Sequence, residues 1–189
     1  MVVIGAAAGG ISAVSKLAAT FTPELDVAIF VVIHLSDHLE TQVVCDYVQQ
    51  HTQFHCKIAA NGEDIVSRTI YFAPADHHMV VVEGKVEVYK GHKSQQWRPS
   101  IDVLFRSAAV AYHTAVTGVI LTGLTDDGVS GMATIKRQGG ICMIQEPAEA
   151  DFPFKPLHVQ ESVEVDYTVS LEEMTFILLD HYSLLSLCN

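Results

Sequence analysis

The chain has 189 residues and a formal net charge of −11, with 49% hydrophobic and only 17% charged side chains. That balance excludes a disordered chain, and 11 Lys and Arg against 22 Asp and Glu, without a basic cluster, exclude a reader of nucleic-acid phosphates. The longest apolar run, near Val27–Ile33, has seven residues, far short of the roughly 20 that a membrane helix needs, so no membrane insertion is expected.

The length fits one domain over residues 1–189. Met1-Val2-Val3-Ile4-Gly5 enters a buried-strand pattern directly, with neither a basic segment nor a small-residue cleavage site, so no signal peptide is expected. Cys45, Cys56, Cys142 and Cys188 have long, irregular spacings and no CxxC pair. In a chain with an ample core they read as reduced, mostly buried thiols of a cytoplasmic protein.

Val2–Ile4 reads as a strand, followed by a Gly/Ala turn and a helix over Gly10–Ala19 with Ile11, Val14, Leu17 and Ala18 on one side. Val27–Ile33 is continuously apolar, the pattern of a strand covered on both faces. Leu39–Gln50 reads as a helix presenting Leu39, Val43 or Val44, and Tyr47. Thr69–Ala73 is a strand. Met79–Val82 and Val86–Tyr89 form a hairpin around Glu83-Gly84-Lys85. A polar loop, Lys90–Trp97, leads to a helix that Pro99 opens and that runs to Ala111. Gly118–Leu121 is a strand, Gly128–Gln138 a helix and Ile141–Ile144 a strand. A loop holds Pro147, Pro153 and Pro156, and Val163–Val169 is the last strand. Ser170 and Glu173 suit a capping box for a helix over Leu171–Asp180. The alternation predicts an α/β fold: a doubly wound, mostly parallel sheet with helices on both faces and an antiparallel hairpin.

Sites in such sheets form where loops leave the carboxyl ends of the strands. Three loops stand out: Gly5–Gly10, His34–His38 and Thr122–Gly128. The first is a weak dinucleotide signal, because its spacing is G-x-x-x-G-G and strand two ends in Ile33-His34 instead of an acidic residue. A tight strand–helix turn of small residues is the simpler reading. His34 alone reads as a structural histidine, and Asp126-Asp127-Gly128 alone as a turn with a helix cap. Converging on one cleft, however, His34 and Asp127 supply the base and the orienting carboxylate of a hydrolytic triad. A Ser or Cys at the turn is missing.

Several segments resemble the catalytic domain of CheB, the protein-glutamate methylesterase of bacterial chemotaxis. They are Val3–Gly10, Val32-Ile33-His34, Phe72-Ala73-Pro74 with His78-Met79, Arg98–Ala109, Gly118–Gly128 and Ile135–Gly140. The resemblance implies hydrolysis of γ-glutamyl methyl esters on the cytoplasmic helices of chemoreceptors, and deamidation of receptor glutamines, without cofactor or metal. Its histidine falls on His34, its aspartate on Asp127, and oxyanion donors on the backbone of Ala8 and Leu124. Its serine nucleophile falls on Ala7. A methyl group cannot attack a carbonyl, and removing the nucleophile of a serine hydrolase costs on the order of 10⁶ in rate.

Three serines are candidate substitutes. Ser12 lies inside the predicted helix, where its hydroxyl should miss the cleft; Ser36 would need another substrate pose; Ser100 is an ordinary first-turn serine unless it reaches the cleft. A water activated by His34 is the remaining route. The other reading is a catalytically silent module that holds receptor helices or another signalling partner in the same cleft. Phe154-Lys155-Pro156 also departs from the family's small residue followed by Met-Pro, which favours natural divergence over a single replaced residue. Typical members carry a receiver domain ahead of this one, and no switching by aspartyl phosphorylation is expected within this chain. Among the ten histidines, His51 and His55 beside Cys56 suggest a solvated helix end, and His77-His78 follow a turn. Neither has the ligand number of a metal site.

Overall fold

A computed structural model describes residues 1–36, 38–94 and 96–183. Cys188 therefore lies outside the described residues, as does Asp37 of the second loop. The elements, in chain order, are β1 (Val2–Ala6), α1 (Gly10–Ala19), β2 (Ile29–Ile33), α2 (Thr41–Gln49), β3 (His55–Ile58), β4 (Thr69–Phe72), β5 (His78–Val82) and β6 (Lys85–Tyr89). There follow α3 (Ile101–Tyr112), a 3-10 turn at His113–Ala115, β7 (Thr117–Ile120), α4 (Val129–Arg137), β8 (Ile141–Gln145), α5 (Phe154–Ser162), β9 (Tyr167–Val169) and α6 (Leu171–Tyr182). Seven strands form one sheet in the order β3-β4-β2-β1-β7-β8-β9, and every pairing in it is parallel. The antiparallel β5–β6 hairpin stands apart as a second sheet. This is the doubly wound architecture read from the sequence.

The continuous apolar runs serve two cores. Side chains alternate across a strand, so Val2, Ile4 and Ala6 of β1 join Ile29, Val31 and Ile33 of β2 on one face, beneath α1, α2 and α6. Val3, Phe30 and Val32 face the other way, against α3, α4, α5 and the hairpin. Polar substitution anywhere in these strands would meet packed carbon on either side, because β1 and β2 are buried along their whole length.

Several elements depart from the sequence reading. β3 was not predicted: its four residues carry His55 and Lys57, and only pairing with β4 makes them a strand. His55 is thus an exposed strand residue and not the end of a helix. On α2 the buried face is Thr41, Val44, Cys45 and Val48, while Val43 and Tyr47 turn outward. Pro99 does not open α3; Ser100 is its N-cap, accepting from the Val103 amide. α5 occupies the segment read as a proline loop, since Pro153 is the cap and Pro156 lies in the first turn, where no amide needs a helical acceptor. The last strand shrinks to Tyr167–Val169, because Val163 already ends α5. The capping box of Ser170 and Glu173 is formed.

Strand order reverses between β1 and β7, which lie side by side although their following connections run to opposite halves of the sheet. Ligand crevices in open α/β sheets open at such a point, beyond the carboxyl ends of the strands. The loops after β1, β2 and β7 all emerge there.

Candidate active site

Asp127 organises this edge. It is fully buried and sits one residue before Gly128, the N-cap of α4, whose φ of 115° favours a residue without a side chain. Its Oδ2 accepts from the Ile101 amide at 2.7 Å and pairs with His34 Nε2 at 2.8 Å. Its Oδ1 accepts from the Asp102 amide at 3.0 Å and from Ser100 Oγ at 2.9 Å. These amides belong to the first turn of α3, where N–H groups have no helical acceptor and carry the positive end of the helix dipole. Burial alone would raise the Asp127 carboxyl, but His34 and the Asp102 and Ile101 amides outweigh it and hold it below the ordinary carboxylate range.

The imidazole of His34 bridges Asp127 to the cleft. Its side chain is only 4% exposed, and its ring stacks on Trp97 with centroids 4.0 Å apart and planes 6° from parallel. An ionised carboxylate only accepts, so the bonding pattern assigns the proton to Nε2 and leaves the Nδ1 lone pair free to accept. Nδ1 lies 3.3 Å from Thr125 Oγ1. Lys155 of α5 closes the arrangement from below. It is fully buried, and its Nζ donates to Thr125 Oγ1 at 2.8 Å and to the Asp127 carbonyl at 2.6 Å. Burial pushes its ammonium down to about 8, although Asp127, Asp102 and Asp126 pull the other way.

Ala7 opens the loop after β1, with its amide donating to the Thr122 carbonyl at 3.0 Å. Its methyl faces Gly123: a side chain there would lie 2.8 Å from both Ala7 Cβ and Lys155 Cε, so the close approach of the two loops requires glycine. The Ala8 and Leu124 amides make no hydrogen bond among the described residues, and Leu124 is more than half exposed. A cavity of about 450 Å³ is lined by Ala7, Ala8, Ser12, His34 and Ser36. Another of about 380 Å³ lies on the Trp97 side of His34. A larger one, about 560 Å³, sits between α1 and the start of α6 and touches neither His34 nor Ala7. Its position relative to the acid–base pair makes it the lesser candidate.

The substitute serines separate clearly. Ser100 is 1% exposed and spent on capping α3 and bonding Asp127, so it is not offered to the cleft. Ser12 borders the cavity beside Ala7 and His34, because the first turn of α1 lies along the cleft, and it also lines the larger cavity; Ser36 shares the cleft wall. Among the described residues no three His, Cys, Asp or Glu side chains converge as metal ligands. Cys45, Cys56 and Cys142 are buried free thiols. Sequence reasoning passed over Thr125, Lys155 and Trp97. In the sequence Lys155 stands out only as a departure within a proline-rich stretch, and Trp97 as the end of a polar loop.

Residues 2–178 match the family model described as CheB methylesterase. A Leptospira interrogans protein, provisionally named a protein-glutamate methylesterase/protein-glutamine glutaminase, is 33% identical over 186 residues, 97% of this chain and 96% of that one. A Methanosarcina mazei protein-glutamate methylesterase/protein-glutamine glutaminase is 30% identical over 179 residues, and the match spans 90% of this chain but 48% of the relative. The crystal structure of the Thermotoga maritima CheB methylesterase catalytic domain superposes with a TM-score of 0.88 at 26% identity, covering 95% of this chain and 96% of that one. No described helix is long and apolar enough to cross a membrane. With the family model running from the first strand into the last helix and the fold shared end to end, the chain belongs to the CheB methylesterase family.

Proposed function

We propose that the cleft hydrolyses γ-glutamyl methyl esters on the cytoplasmic helices of chemoreceptors, releasing methanol, and deamidates glutamine side chains at the same site. The two reactions share a glutamyl acyl group and differ in the leaving group, methanol or ammonia. The observation that carries the reading is the completed Asp127–His34 pair, with Nε2 held on the carboxylate and Nδ1 left to act as base. In this mechanism Nδ1 takes a proton from the attacking hydroxyl and returns it to the departing methoxide or amide nitrogen. Asp127 keeps its charge and stabilises the imidazolium. The Ala8 and Leu124 amides, which have no hydrogen-bond partner among the described residues, are the donors available to the tetrahedral oxyanion. No cofactor enters any step, and the substrate is a protein of the cytoplasm.

Methanol release from a methylated receptor fragment tests this. The chain should release methanol, and His34→Ala should abolish release while leaving receptor binding intact. Ala7 favours a second reading, a silent module that binds receptor without hydrolysing it. That reading stands if the chain binds receptor yet releases methanol only as Ala7→Ser. Absence of release from the unmodified chain would overturn the hydrolytic reading.

A further inference from the structure

The side chains around His34 form a directed chain of hydrogen bonds. Lys155 as an ammonium only donates, so at 2.8 Å its Nζ–H points at Thr125 Oγ1. With that acceptor position filled, the Thr125 hydroxyl proton is free to point at His34 Nδ1, 3.3 Å away. Nδ1 accepts because Nε2 carries its proton toward Asp127 at 2.8 Å. Donor and acceptor roles are then satisfied without conflict from Lys155 through Thr125 and His34 to Asp127. The geometry is that of a nucleophile bonded to a base that is itself held by a buried carboxylate.

We propose that Thr125 is the nucleophile of this cleft, taking the part that Ala7 cannot play, with Lys155 as the residue that positions its oxygen. The proposal rests on the reading of His34 as the base of a glutamyl hydrolase. Thr125 Oγ1 attacks the ester carbonyl carbon as its proton passes to His34 Nδ1. The bond to methoxide then breaks, the same proton goes to the leaving oxygen, and methanol departs from an acyl-threonine. Water attacks that ester and gives a proton to Nδ1. Collapse releases the glutamate and returns the proton to the Thr125 oxygen. No oxidant, reductant or further reactant is consumed. The Lys155 ammonium holds the Thr125 oxygen in place by its hydrogen bond and stabilises that oxygen as it leaves when the acyl-threonine is hydrolysed. Thr125 is half-buried between two exposed residues, Leu124 and Asp126. Ser12 and Ser36 also border the cleft, but no hydrogen bond joins either to His34 among the described residues.

The test combines trapping with methanol release. A fluorophosphonate probe, incubated with the intact chain and followed by peptide mass spectrometry, should modify Thr125, and His34→Ala should abolish the adduct. Thr125→Val keeps the shape and removes the hydroxyl, and should lower methanol release by about 10³-fold or more. Thr125→Ser should retain release to within about tenfold, with the adduct moving to the new hydroxyl. Lys155→Met should lower the rate of adduct formation while the modified residue stays Thr125. Thermal unfolding of Thr125→Val, matched to the parent, separates loss of chemistry from loss of fold. Methanol release that depends on His34 but survives Thr125→Val overturns the proposal while leaving the hydrolytic reading in place. An adduct on Ser12 or Ser36 does the same. If the intact chain releases no methanol and takes no adduct, the hydrolytic reading fails, and this proposal with it.

Discussion

Asp127 exchanges all its solvent for four donors, two on each carboxylate oxygen. That symmetry makes Asp127→Asn a severe change. One side of the new amide is NH₂, and in either orientation it meets an N–H of Ile101 or Asp102 head on. If the NH₂ faces His34, the imidazole must also turn its Nε2 lone pair toward it, which moves the ring proton to Nδ1 and removes the base. Methanol release should fall by about 10⁴-fold, the order seen when a triad carboxylate becomes an amide. Stability should fall by about 1–3 kcal/mol for the unpaired buried donor, read from a urea midpoint. Lys155 gives a second expectation at this scale. Its folded pKa of about 8 lies below the ordinary 10.5. Below pH 8 both folded and unfolded chains hold the proton, and the full cost of burying the charge is present. Between pH 8 and 10.5 the unfolded chain binds more protons than the folded one, so stability rises with pH. The gain is at most about 3 kcal/mol, at about 1.4 kcal/mol for each decade of pH. The quantity to measure is the stability of the chain minus that of Lys155→Met across pH 7–11, because the raised thiols of Cys56 and Cys142 and the raised Tyr182 phenol act in both proteins and cancel. Parallel curves would show that Lys155 does not titrate in this range.

Helices α3 and α4 are locked by a reciprocal exchange of caps. Asp127, just ahead of α4, takes the first amides of α3. Asp102, in the first turn of α3, takes the Gly128 amide at 3.0 Å and the Gly131 amide at 2.6 Å at the start of α4. Only one of the two carboxylates touches His34, so the pair separates structure from chemistry. Asp102→Ala should cost about 2–3 kcal/mol, as a lost cap plus a buried amide without an acceptor. It should lower the urea midpoint with an unchanged slope and reduce methanol release far less than Asp127→Asn does. This lock shows what a sequence can and cannot disclose. The alternation in β1 and β2 is legible because burial on both faces leaves an unbroken apolar run. The loops carrying His34 and Asp127 are legible because a doubly wound sheet must open where its strand order reverses. β3 is hidden because its pairing with β4, not its own composition, makes it a strand. α5 is hidden because Pro153 and Pro156 read as breakers, although a helix cap and first turn accept them. Lys155 and Thr125 are 30 residues apart in the chain, and only the docking of α5 beneath the β7 loop brings them together.

At the scale of the molecule, the reaction has an electrostatic consequence that the site alone does not show. The chain carries a net charge of −11, and in the proposed reaction each ester hydrolysed would leave one more carboxylate on the bound receptor. At the rim Lys90 and Arg98 both pair with Asp76, so the cations there outnumber that carboxylate by one. The repulsion that distinguishes product from substrate therefore comes from the many distant charges and depends on salt. At about 0.01 M ionic strength the screening length is roughly 30 Å, which spans the domain, so the product carboxylate feels most of the net charge. At about 0.15 M the length falls to roughly 8 Å and only the charges at the rim remain. The demethylated receptor fragment should therefore bind more weakly than its methylated form at low salt, and the ratio of the two dissociation constants should fall as salt rises. Titration calorimetry with the inert His34→Ala variant gives both constants at each salt concentration without turnover. A ratio independent of salt would mean that the rim charges, and not the acidic body of the domain, govern how the product leaves.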